Sequence, residues 1–343
     1  MKATYSKYIL RFKRPSATSR GVMTEKETWL LKIEEKGKIG IGECGILRTL
    51  SFDDRPNYEA KLQWVVDHIH LGKEALWEEL RDWPSIQFGV EQAFLSLASA
   101  HPFVLFPSAF VEGTAAIPIN GLVWMGEETF MKEQIDEKIA QGFTCVKLKI
   151  GAIDFDAEIS LLHDIRKHFT ADQIELRVDA NGGFTVADAP NKLAQLAQLD
   201  LHSIEQPIKQ QQVPQMAALC QTTPLPIALD EELIGVTAYN DKVALLEAIR
   251  PQYIILKPSL IGGFKGSQEW IEIAEKLQIK WWITSALESN IGLNAIAQWT
   301  FTLHNPMPQG LGTGALYTNN FDSPLEVKQG QLWYNPELVS GKW

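Results

Sequence analysis

The sequence is poor in cysteine, and its few cysteines form no recognisable motif. The 343 residues include only 3 of them, Cys44, Cys145 and Cys220, and no two lie close enough to form a C-x-x-C pair. An odd, widely spaced set argues against a disulfide framework and against a zinc site. We expect reduced thiols that are buried in the interior.

Positive charge and long apolar runs are also scarce. The formal net charge is −10 at pH 7, and lysine and arginine form no clustered stripe, which argues against a nucleic-acid partner. The first residues carry charges on both sides of a short apolar run, so they lack the core of a signal peptide, and no other stretch could span a membrane. We expect a cytoplasmic protein without a nucleic-acid or membrane partner, either a monomer or a homo-oligomer.

One glycine motif lacks the context that would give it a function. Gly40, Gly42 and Gly45 spell G-x-G-x-x-G, yet no amphipathic helix pattern begins at the third glycine. A dinucleotide site needs such a helix, because its N-terminus receives the pyrophosphate. The sequence instead predicts a turn at the end of a strand.

The chain does contain a repeated pattern between residues 144 and 259, in which a short apolar run ends in a charged residue. The charged residues are Lys147, Lys149, Asp179, Glu205, Asp230 and Lys257. Steps of 25 to 30 residues separate one unit from the next. One strand, one covering helix and two short loops need about this length in a parallel βα array.

This regular repeat predicts an α/β fold, a (β/α)8-type barrel. The strands of such a barrel all run in one direction, and residues at their C-terminal ends converge on a single mouth where active sites form. Acids from three consecutive strands would therefore face one point, and Lys147 and Lys149 would share one face of a strand. Because a charge buried alone is too costly to keep, these groups need a metal or one another.

The flanking segments predict further parts of the fold. Residues 1 to about 50 alternate as antiparallel strands do, and residues 58–100 have helical spacing, so neither part shows the βα repeat. We therefore predict an N-terminal α+β capping domain over 1–115, a barrel over 116–313, and a C-terminal segment over 314–343 that returns to the cap.

Within the barrel, three strands are assigned from short segments. IPIN (117–120) is predicted to be strand one, KWWITSALES (280–289) to be strand seven, and PQGLGTG (308–314) to contain strand eight. In the cap, residues 13–26 are polar and are predicted to form a loop that closes over the mouth.

The three acids at successive strand ends predict a metal site. Asp179, Glu205 and Asp230 form an all-oxygen set, which selects a hard cation such as Mg2+, with Mn2+ as a substitute. A single acid after a strand is more often a helix N-cap or an exposed loop residue. Recurrence at three successive ends favours the metal site.

The lysines predict proton abstraction beside a carboxylate. A bound cation can stabilise the enediolate that forms when a proton leaves the carbon next to a carboxylate. The base must be neutral, and like charge between Lys147 and Lys149 would push one of them in that direction. The alternative, an edge strand protected by lysines, does not apply to a closed barrel.

Five short motifs together resemble those of the enolase superfamily, in its muconate-lactonising subgroup. They are KLK at 147–149, VDAN at 178–181, EQP at 205–207, DE at 230–231 and LKPS at 256–259. The resemblance covers nearly the whole chain. It implies a barrel whose α+β capping domain is completed by the C-terminal tail.

Three further segments are similar to those of dehydratases in this subgroup, which convert a cyclohexadiene carboxylate to an aromatic succinylbenzoate in menaquinone biosynthesis. They are IGG at 261–263, SALESNIGL at 285–293 and GTGALYTNN at 312–320. By that likeness, Lys149 removes the α-proton and helps the hydroxyl leave from the same face. Lys257 stays protonated and stabilises the enediolate through charge and a cation–π contact.

Further residues are candidates for binding this small carboxylate substrate: Arg177, Asn181, Gly263, Ser285 and Glu288. Arg177 lies two residues before Asp179 and so on the same face of its strand, although a buried arginine paired with a neighbouring acid is equally compatible with that position. The amides after IGG are predicted to receive an anionic group, as glycine-rich turns at helix N-termini do.

Two other functions remain open. An N-acylamino acid racemase or a dipeptide epimerase of the same superfamily would use the same metal and lysines. The eighth-strand segment has no acid to hold a free amine, which argues against a dipeptide. A non-catalytic ligand-binding barrel would have no need of the lysine pair.

Overall fold

The computed structural model describes residues 1–18, 21–151 and 154–338. The strands are β1 (Lys2–Thr18), β2 (Gly21–Glu35), β3 (Lys38–Gly45), β4 (Ile117–Pro118), β5 (Gly121–Val123), β6 (Cys145–Lys149), β7 (Glu175–Asp179), β8 (Ser203–Glu205), β9 (Ile227–Leu229), β10 (Tyr253–Leu256), β11 (Lys280–Ile283), β12 (Leu325–Lys328) and β13 (Gln331–Tyr334). The α-helices are α1 (Tyr58–Asp67), α2 (Gly72–Glu79), α3 (Pro84–Ala98), α4 (Glu128–Ala140), α5 (Phe155–His168), α6 (Ala189–Ala197), α7 (Val213–Thr222), α8 (Tyr239–Ile249), α9 (Gly263–Lys276) and α10 (Asn290–Thr302).

The N-terminal unit, called the cap below, is an antiparallel sheet in the order β1-β2-β3 with helix α3 packed against it. All three glycines of the G-x-G-x-x-G motif lie in β3, and Gly45 ends it, so the motif lies at the end of a strand as predicted but forms no turn within itself. A side chain at Gly42 would place its Cβ 1.9 Å from the Gly89 carbonyl oxygen of α3. The glycines therefore allow a helix to cross a strand at close range.

The first hairpin is longer than predicted. Strands β1 and β2 pair from Lys2–Glu34 to Thr18–Gly21, with an irregularity between Arg11 and Ser16. Most of residues 13–26 is therefore strand rather than loop, and residues 19–20 lie outside the described part. The far end of this hairpin packs on no large core, so its strands can be polar. A polar segment without apolar alternation does not indicate strands, and the sequence therefore predicted a loop.

Seven parallel strands form the barrel sheet in the order β11-β10-β9-β8-β7-β6-β5. The eighth place is taken by residues 309–310, where Gly310 forms a parallel bridge with Thr284 and Gln309 forms one with Ile119. This position lies within the segment predicted for strand eight. Prolines at 306 and 308 explain its shortness, since proline cannot donate a ladder hydrogen bond.

The predicted first barrel strand is confirmed in part, because Ile119 of the IPIN segment forms a parallel bridge with Gln309 at the eighth place of the barrel. β4, which opens the IPIN segment, pairs antiparallel with β13 of the C-terminal hairpin. The barrel strand beside β6 is β5, which follows that segment directly. Two consecutive apolar stretches separated by Asn120 were indistinguishable by pattern alone.

The chain after the barrel contacts the cap around residues 317–319, whereas the C-terminal hairpin β12–β13 pairs with β4 rather than with the cap sheet. Phe12 of β1 forms an antiparallel bridge with Tyr317, and the Tyr8 hydroxyl donates to the Asn319 carbonyl oxygen at 2.7 Å. Leu10, Phe12 and Tyr317 form a small buried cluster that Met23 and Leu287 contact. Within the described ranges, no helix has both the length and the apolar composition that a bilayer crossing requires.

Candidate active site

The C-terminal ends of the barrel strands place the predicted charged residues side by side. Lys149, Asp179 and Glu205 are paired in register across β6, β7 and β8. Asp230 follows β9, and Lys257 follows β10. The sheet order puts β6 and β10 four places apart in an eight-place barrel, so Lys149 and Lys257 approach the mouth from opposite sides.

A cavity of about 300 Å3 lies at this mouth. Its barrel side includes Lys147, Lys149, Asp179 and Lys257, and its cap side includes residues 21–23 and 47–50. The cavity is therefore enclosed by both parts of the fold. The charged strand ends form its floor.

The lysines of β6 bind the acids directly. The Lys147 ammonium lies 2.9 Å from Asp179 Oδ2 and also bonds to Glu205. The Lys149 ammonium lies 3.0 Å from Asp179 Oδ2 and 2.8 Å from Asn181 Oδ1. Asp179 thus sits between two ammonium groups.

Lys257 makes the matching contacts from the opposite side. Its ammonium bonds to Asp230 and lies 3.7 Å from Glu205 Oε1. That oxygen is buried and has no hydrogen-bond partner among the described residues. Glu205 therefore has one oxygen that can accept a further ligand.

Burial and mutual charge strongly shift these groups. Burial, reinforced by the charge of Asp179, raises the pKa of Glu205 to about 8. Burial would also raise the pKa of Asp179, but the ammonium groups of Lys147 and Lys149 hold it well below its usual range. Burial opposes the charge of Lys147 too, yet Asp179 and Glu205 raise its pKa.

The expected effect of like charge within the lysine pair stays a prediction. We expect one lysine of β6 to be pushed toward neutrality by the other, and Asp179 and Glu205 raise the pKa of Lys147, which favours its charged form. Burial would lower the pKa of Lys257, and Asp230 and Glu205 outweigh that effect and raise it.

The three acids are suitable ligands for a hard cation, although lysine ammonium groups bond to them in this structure. Within the described ranges, no three His, Cys, Asp or Glu side chains already converge as a metal-binding cluster. Asp179, Glu205 and Asp230 are nevertheless buried on neighbouring strands, and Glu205 Oε1 lacks a hydrogen-bond partner there. Such an all-oxygen donor set fits Mg2+.

Two of the predicted substrate residues line the cavity. They are Asn181, which donates from Nδ2 to Glu231 Oε1 at 3.1 Å, and Ser285, whose hydroxyl lies 2.6 Å from that of Thr313. The sequence did not single out Trp124, which also lines the cavity with its ring 5.9 Å from the Lys149 ammonium. Trp124 directly follows β5 and so lies at a strand end. The sequence placed the first strand a few residues earlier and therefore gave no reason to select Trp124.

Gly263 does not line the cavity, so its predicted substrate contact is wrong. The amides of Phe264 and Lys265, at the start of α9, donate to the Glu91 carboxylate of α3. The anion site predicted after IGG is thus filled by a side chain of the cap. Burial raises the pKa of Glu91 to about 7.

Glu288 is also absent from the cavity wall and lies behind it. Its side chain is fully buried and accepts hydrogen bonds from the Ser259 hydroxyl and from the Ala286 amide. Ala286 itself lines the cavity. Glu288 therefore holds the wall rather than the substrate.

The contacts of Arg177 favour the alternative of a buried, structural arginine. Its guanidinium lies inside the barrel, 2.7 Å from Glu175 Oε1 and 2.9 Å from the Pro308 carbonyl oxygen. It also stacks over the Trp282 ring at 4.3 Å. These partners lie below the charged strand ends, and Arg177 does not line the cavity.

Replacement of Arg177 with methionine should reduce stability more than catalysis. The change leaves Glu175 without its cation and removes the stacking on Trp282, a loss of about 2 kcal/mol or more. We expect a melting temperature lower by several degrees, measured by circular dichroism, with KM within about threefold of the wild-type value. A large rise in KM in the folded variant would restore the substrate-orienting role.

Comparison with known proteins agrees with this architecture. The family model described as "Enolase C-terminal domain-like" matches residues 130–337. An o-succinylbenzoate synthase of Desulfotalea psychrophila is 47% identical over 97% of this chain and 98% of its own length.

Comparison with solved structures identifies the same fold. MenC from Desulfotalea psychrophila superposes with a TM-score of 0.86 at 44% identity and covers 97% of this chain and 99% of its own. A dipeptide epimerase from Enterococcus faecalis, complexed with Mg and a dipeptide, has a TM-score of 0.83 at 19% identity and covers 97% of this chain and 96% of its own. The family match over more than half of the chain and the 47% identity over nearly all of it show that the chain belongs to the enolase superfamily.

Proposed function

We propose that the protein catalyses the o-succinylbenzoate synthase reaction, the dehydration of 2-succinyl-6-hydroxy-2,4-cyclohexadiene-1-carboxylate. The observation that carries the proposal is the pair of opposed lysines, Lys149 and Lys257, over a floor of buried carboxylates. The near full-length similarity to a synthase of this name supports the choice of substrate. The protein is thus a lyase.

We propose Mg2+ as the cofactor, with Mn2+ able to replace it, held by Asp179, Glu205 and Asp230. When bound, the cation would stabilise the negative charge that develops on the substrate carboxylate as the α-proton leaves. The Mg in the epimerase from Enterococcus faecalis is compatible with this assignment. Asp179 lines the cavity and bonds to Lys149, and Asp230 bonds to Lys257 on the opposite side.

Lys149 is the group that moves the proton. Its ammonium bonds to Asp179 and Asn181 in this structure, and it acts as the base in its neutral form. It then takes the α-proton, and the electron pair of the broken C–H bond is delocalised onto the substrate carboxylate as the enediolate, from which it returns to form the new ring double bond. As the C–O bond to the hydroxyl breaks, Lys149 returns the proton and water departs.

Lys257 supplies a fixed positive charge on the opposite side. We assign it the protonated form during the reaction; in this structure Asp230 and Glu205 raise its pKa against the effect of burial. A protonated lysine near the ring stabilises the enediolate by charge and by a cation–π contact. Because only one lysine needs to exchange protons, the two have different roles in dehydration.

The remaining wall of the cavity suits a ring with a short side chain. Leu50, Leu122, Trp124 and Leu287 contribute apolar surface, and Ser285 contributes a hydroxyl. Apolar walls with a few placed polar groups are typical of small-molecule sites. They exclude water from the proton transfer.

The end of the first hairpin should contribute to binding rather than to chemistry. Joining Ser16 to Met23, a cross-strand pair, through an Asn-Gly turn removes Gly21 and Val22 from the cavity edge. We expect KM to rise about tenfold and kcat to change less than threefold, because the lysines are untouched. Steady-state kinetics on the cyclohexadiene substrate measures both.

The control is Lys36→Asn, which creates an Asn-Gly turn with Gly37 between β2 and β3, away from the cavity wall. It should leave both constants unchanged. Equal losses in kcat and KM from the shortened hairpin would contradict its assignment to binding.

Two assays on purified protein test the function itself. The first follows dehydration of the cyclohexadiene substrate by the absorbance of the aromatic product, with Mg2+ and with chelator. The second follows racemisation of an N-acylamino acid, which would use Lys149 and Lys257 as two acid–base groups. Racemisation far faster than dehydration would replace the proposal with a racemase.

We also propose that the protein works in the cytoplasm, in menaquinone biosynthesis. Its three cysteines, Cys44, Cys145 and Cys220, are buried and unpaired, as expected in a reducing compartment. A small carboxylate is the only partner that this reaction requires.

A further inference from the structure

Three charged side chains are buried together where the cap meets the barrel. They are Lys26 of β2, Glu43 of β3 and Glu288 of the loop before α10, and each is at most 4% exposed. We call them the seam cluster. The reaction as described uses none of them, although buried charges are costly and rarely kept without a purpose.

Glu43 attaches the cap to the first turn of α10. Its carboxylate accepts hydrogen bonds from the amides of Ser289 and Gly292 and from the Ser289 hydroxyl. The Thr28 hydroxyl donates to it at 2.9 Å. Negative charge is favoured at a helix N-terminus, so this contact is well satisfied.

Glu288 attaches the same region to two strand ends of the active site. It accepts from Ser259, in the turn that directly follows Lys257, and from Ala286 in the cavity wall. Next to it, the Tyr317 hydroxyl donates to the Leu287 carbonyl oxygen at 2.6 Å. A shift of Glu288 would therefore move both the Lys257 turn and the wall.

Lys26 is the only cation of the seam cluster. Its ammonium is buried and has no hydrogen-bond partner among the described residues. Burial raises the pKa of Glu288, the Lys26 charge opposes this rise, and Glu43 adds to it. The ammonium thus acts on Glu288 through the field of its charge rather than through a direct bond.

We propose that Lys26 is a positioning residue for the reaction, which keeps Glu288 in place and thereby fixes the Lys257 turn and the wall formed by residues 285–287. The proposal rests on the proposed function, because it predicts changes in that turnover. Lys26 lies in β2 a few residues from the cavity edge at 21–23, so the same ammonium links the cap side of the cavity to its barrel side.

The charge count explains why the cation is needed. With both carboxyl groups ionised, the cluster has one cation and two anions, whereas Lys26→Met would leave the two buried carboxyl groups without a cation. Glu288 would then take up a proton or move away from Glu43, and either change weakens its bonds to Ser259 and Ala286. Removing one anion as well restores the net charge of the wild-type cluster.

A double-mutant cycle between Lys26 and Glu288 tests the proposal. Lys26→Met alone should lower kcat/KM at least tenfold, and Glu288→Gln alone should lower it less. Adding Lys26→Met to Glu288→Gln should change kcat/KM by less than threefold. Equal effects of Lys26→Met in both backgrounds, or wild-type kinetics in the single variant, would overturn it.

Gly45→Ala provides a second variant that keeps every charge. Its new methyl group would lie 2.6 Å from the Lys26 ammonium, so the flexible end of that lysine must move. We expect kcat/KM to fall at least threefold while the melting temperature changes little. Unchanged kinetics would overturn the proposal even if Lys26→Met failed to fold.

Lys242→Met is the matched control for the loss of a buried lysine. Lys242 is 1% exposed, donates to Gly266 and Glu269, and lies outside the cavity wall. It should lower the melting temperature with kcat and KM within twofold of wild type. A loss of kcat/KM as large as that of Lys26→Met would reduce the role of Lys26 to stability.

The wild-type protein separates this proposal from the function on which it rests. Absence of dehydration by the wild type would contradict the proposed function alone. The same variants would then be compared in the N-acylamino acid racemisation assay, where Lys257 is needed as well. Coupling between positions 26 and 288 is expected there too, and its absence would overturn the positioning role.

Discussion

Lys149→Ala is expected to abolish dehydration and α-proton exchange together, whereas Lys257→Arg should retain measurable dehydration. Lys149 is the group that takes and returns the proton, so its loss stops both processes. Lys257→Arg keeps a cation that cannot act as a base. Lys257→Ala should instead lose electrostatic stabilisation typically worth about 3 kcal/mol or more.

The measurements are turnover of the cyclohexadiene substrate and deuterium incorporation at the α-carbon in D2O. Racemisation of an N-acylamino acid provides the contrast, because it needs a proton delivered by the second lysine and should vanish in Lys257→Arg. If a folded, Mg2+-loaded Lys257→Arg loses dehydration completely, Lys257 acts as more than a fixed charge.

Asp230→Asn should reduce turnover at least a thousandfold while leaving the fold largely intact. The change removes a proposed anionic ligand of Mg2+ and the carboxylate that bonds to the Lys257 ammonium. Both the proposed metal site and the charge beside Lys257 are therefore altered. Isothermal titration calorimetry should detect weaker Mg2+ binding, and circular dichroism should remain close to that of the wild type.

The control for this prediction is Asp172→Asn, a change of the same type at an exposed turn. It should leave turnover and Mg2+ affinity unchanged. The metal assignment would fail if Asp179→Asn, Glu205→Gln and Asp230→Asn each bound Mg2+ as tightly as the wild type.

The chemistry at the strand ends was predictable because it follows from chain period and strand direction. An acid or lysine that ends each βα unit must reach the mouth of a parallel barrel, and Asp179, Glu205 and Asp230 do so on neighbouring strands. The sequence pattern was sufficient for these residues because they recur once in each βα unit.

Contacts between distant parts of the chain could not be predicted in this way. Gly263 resembles an anion-binding turn by itself, and only the fold brings Glu91 of the cap onto the amides that follow it. Glu288 likewise carries no local sign that Ser259 would bond to it. The polar ribbon of the first hairpin was taken for a loop because alternation is a weak signal where neither face packs on a large core.

The pairing of lysines with acids at the mouth means that this site carries its own counter-ions. Lys147, Lys149 and Lys257 each bond to at least one of the three acids. A metal ion that binds these acids, as proposed above, must therefore displace ammonium groups that belong to the chain itself. Its apparent affinity is then lower than the same oxygen ligands would give without the lysines.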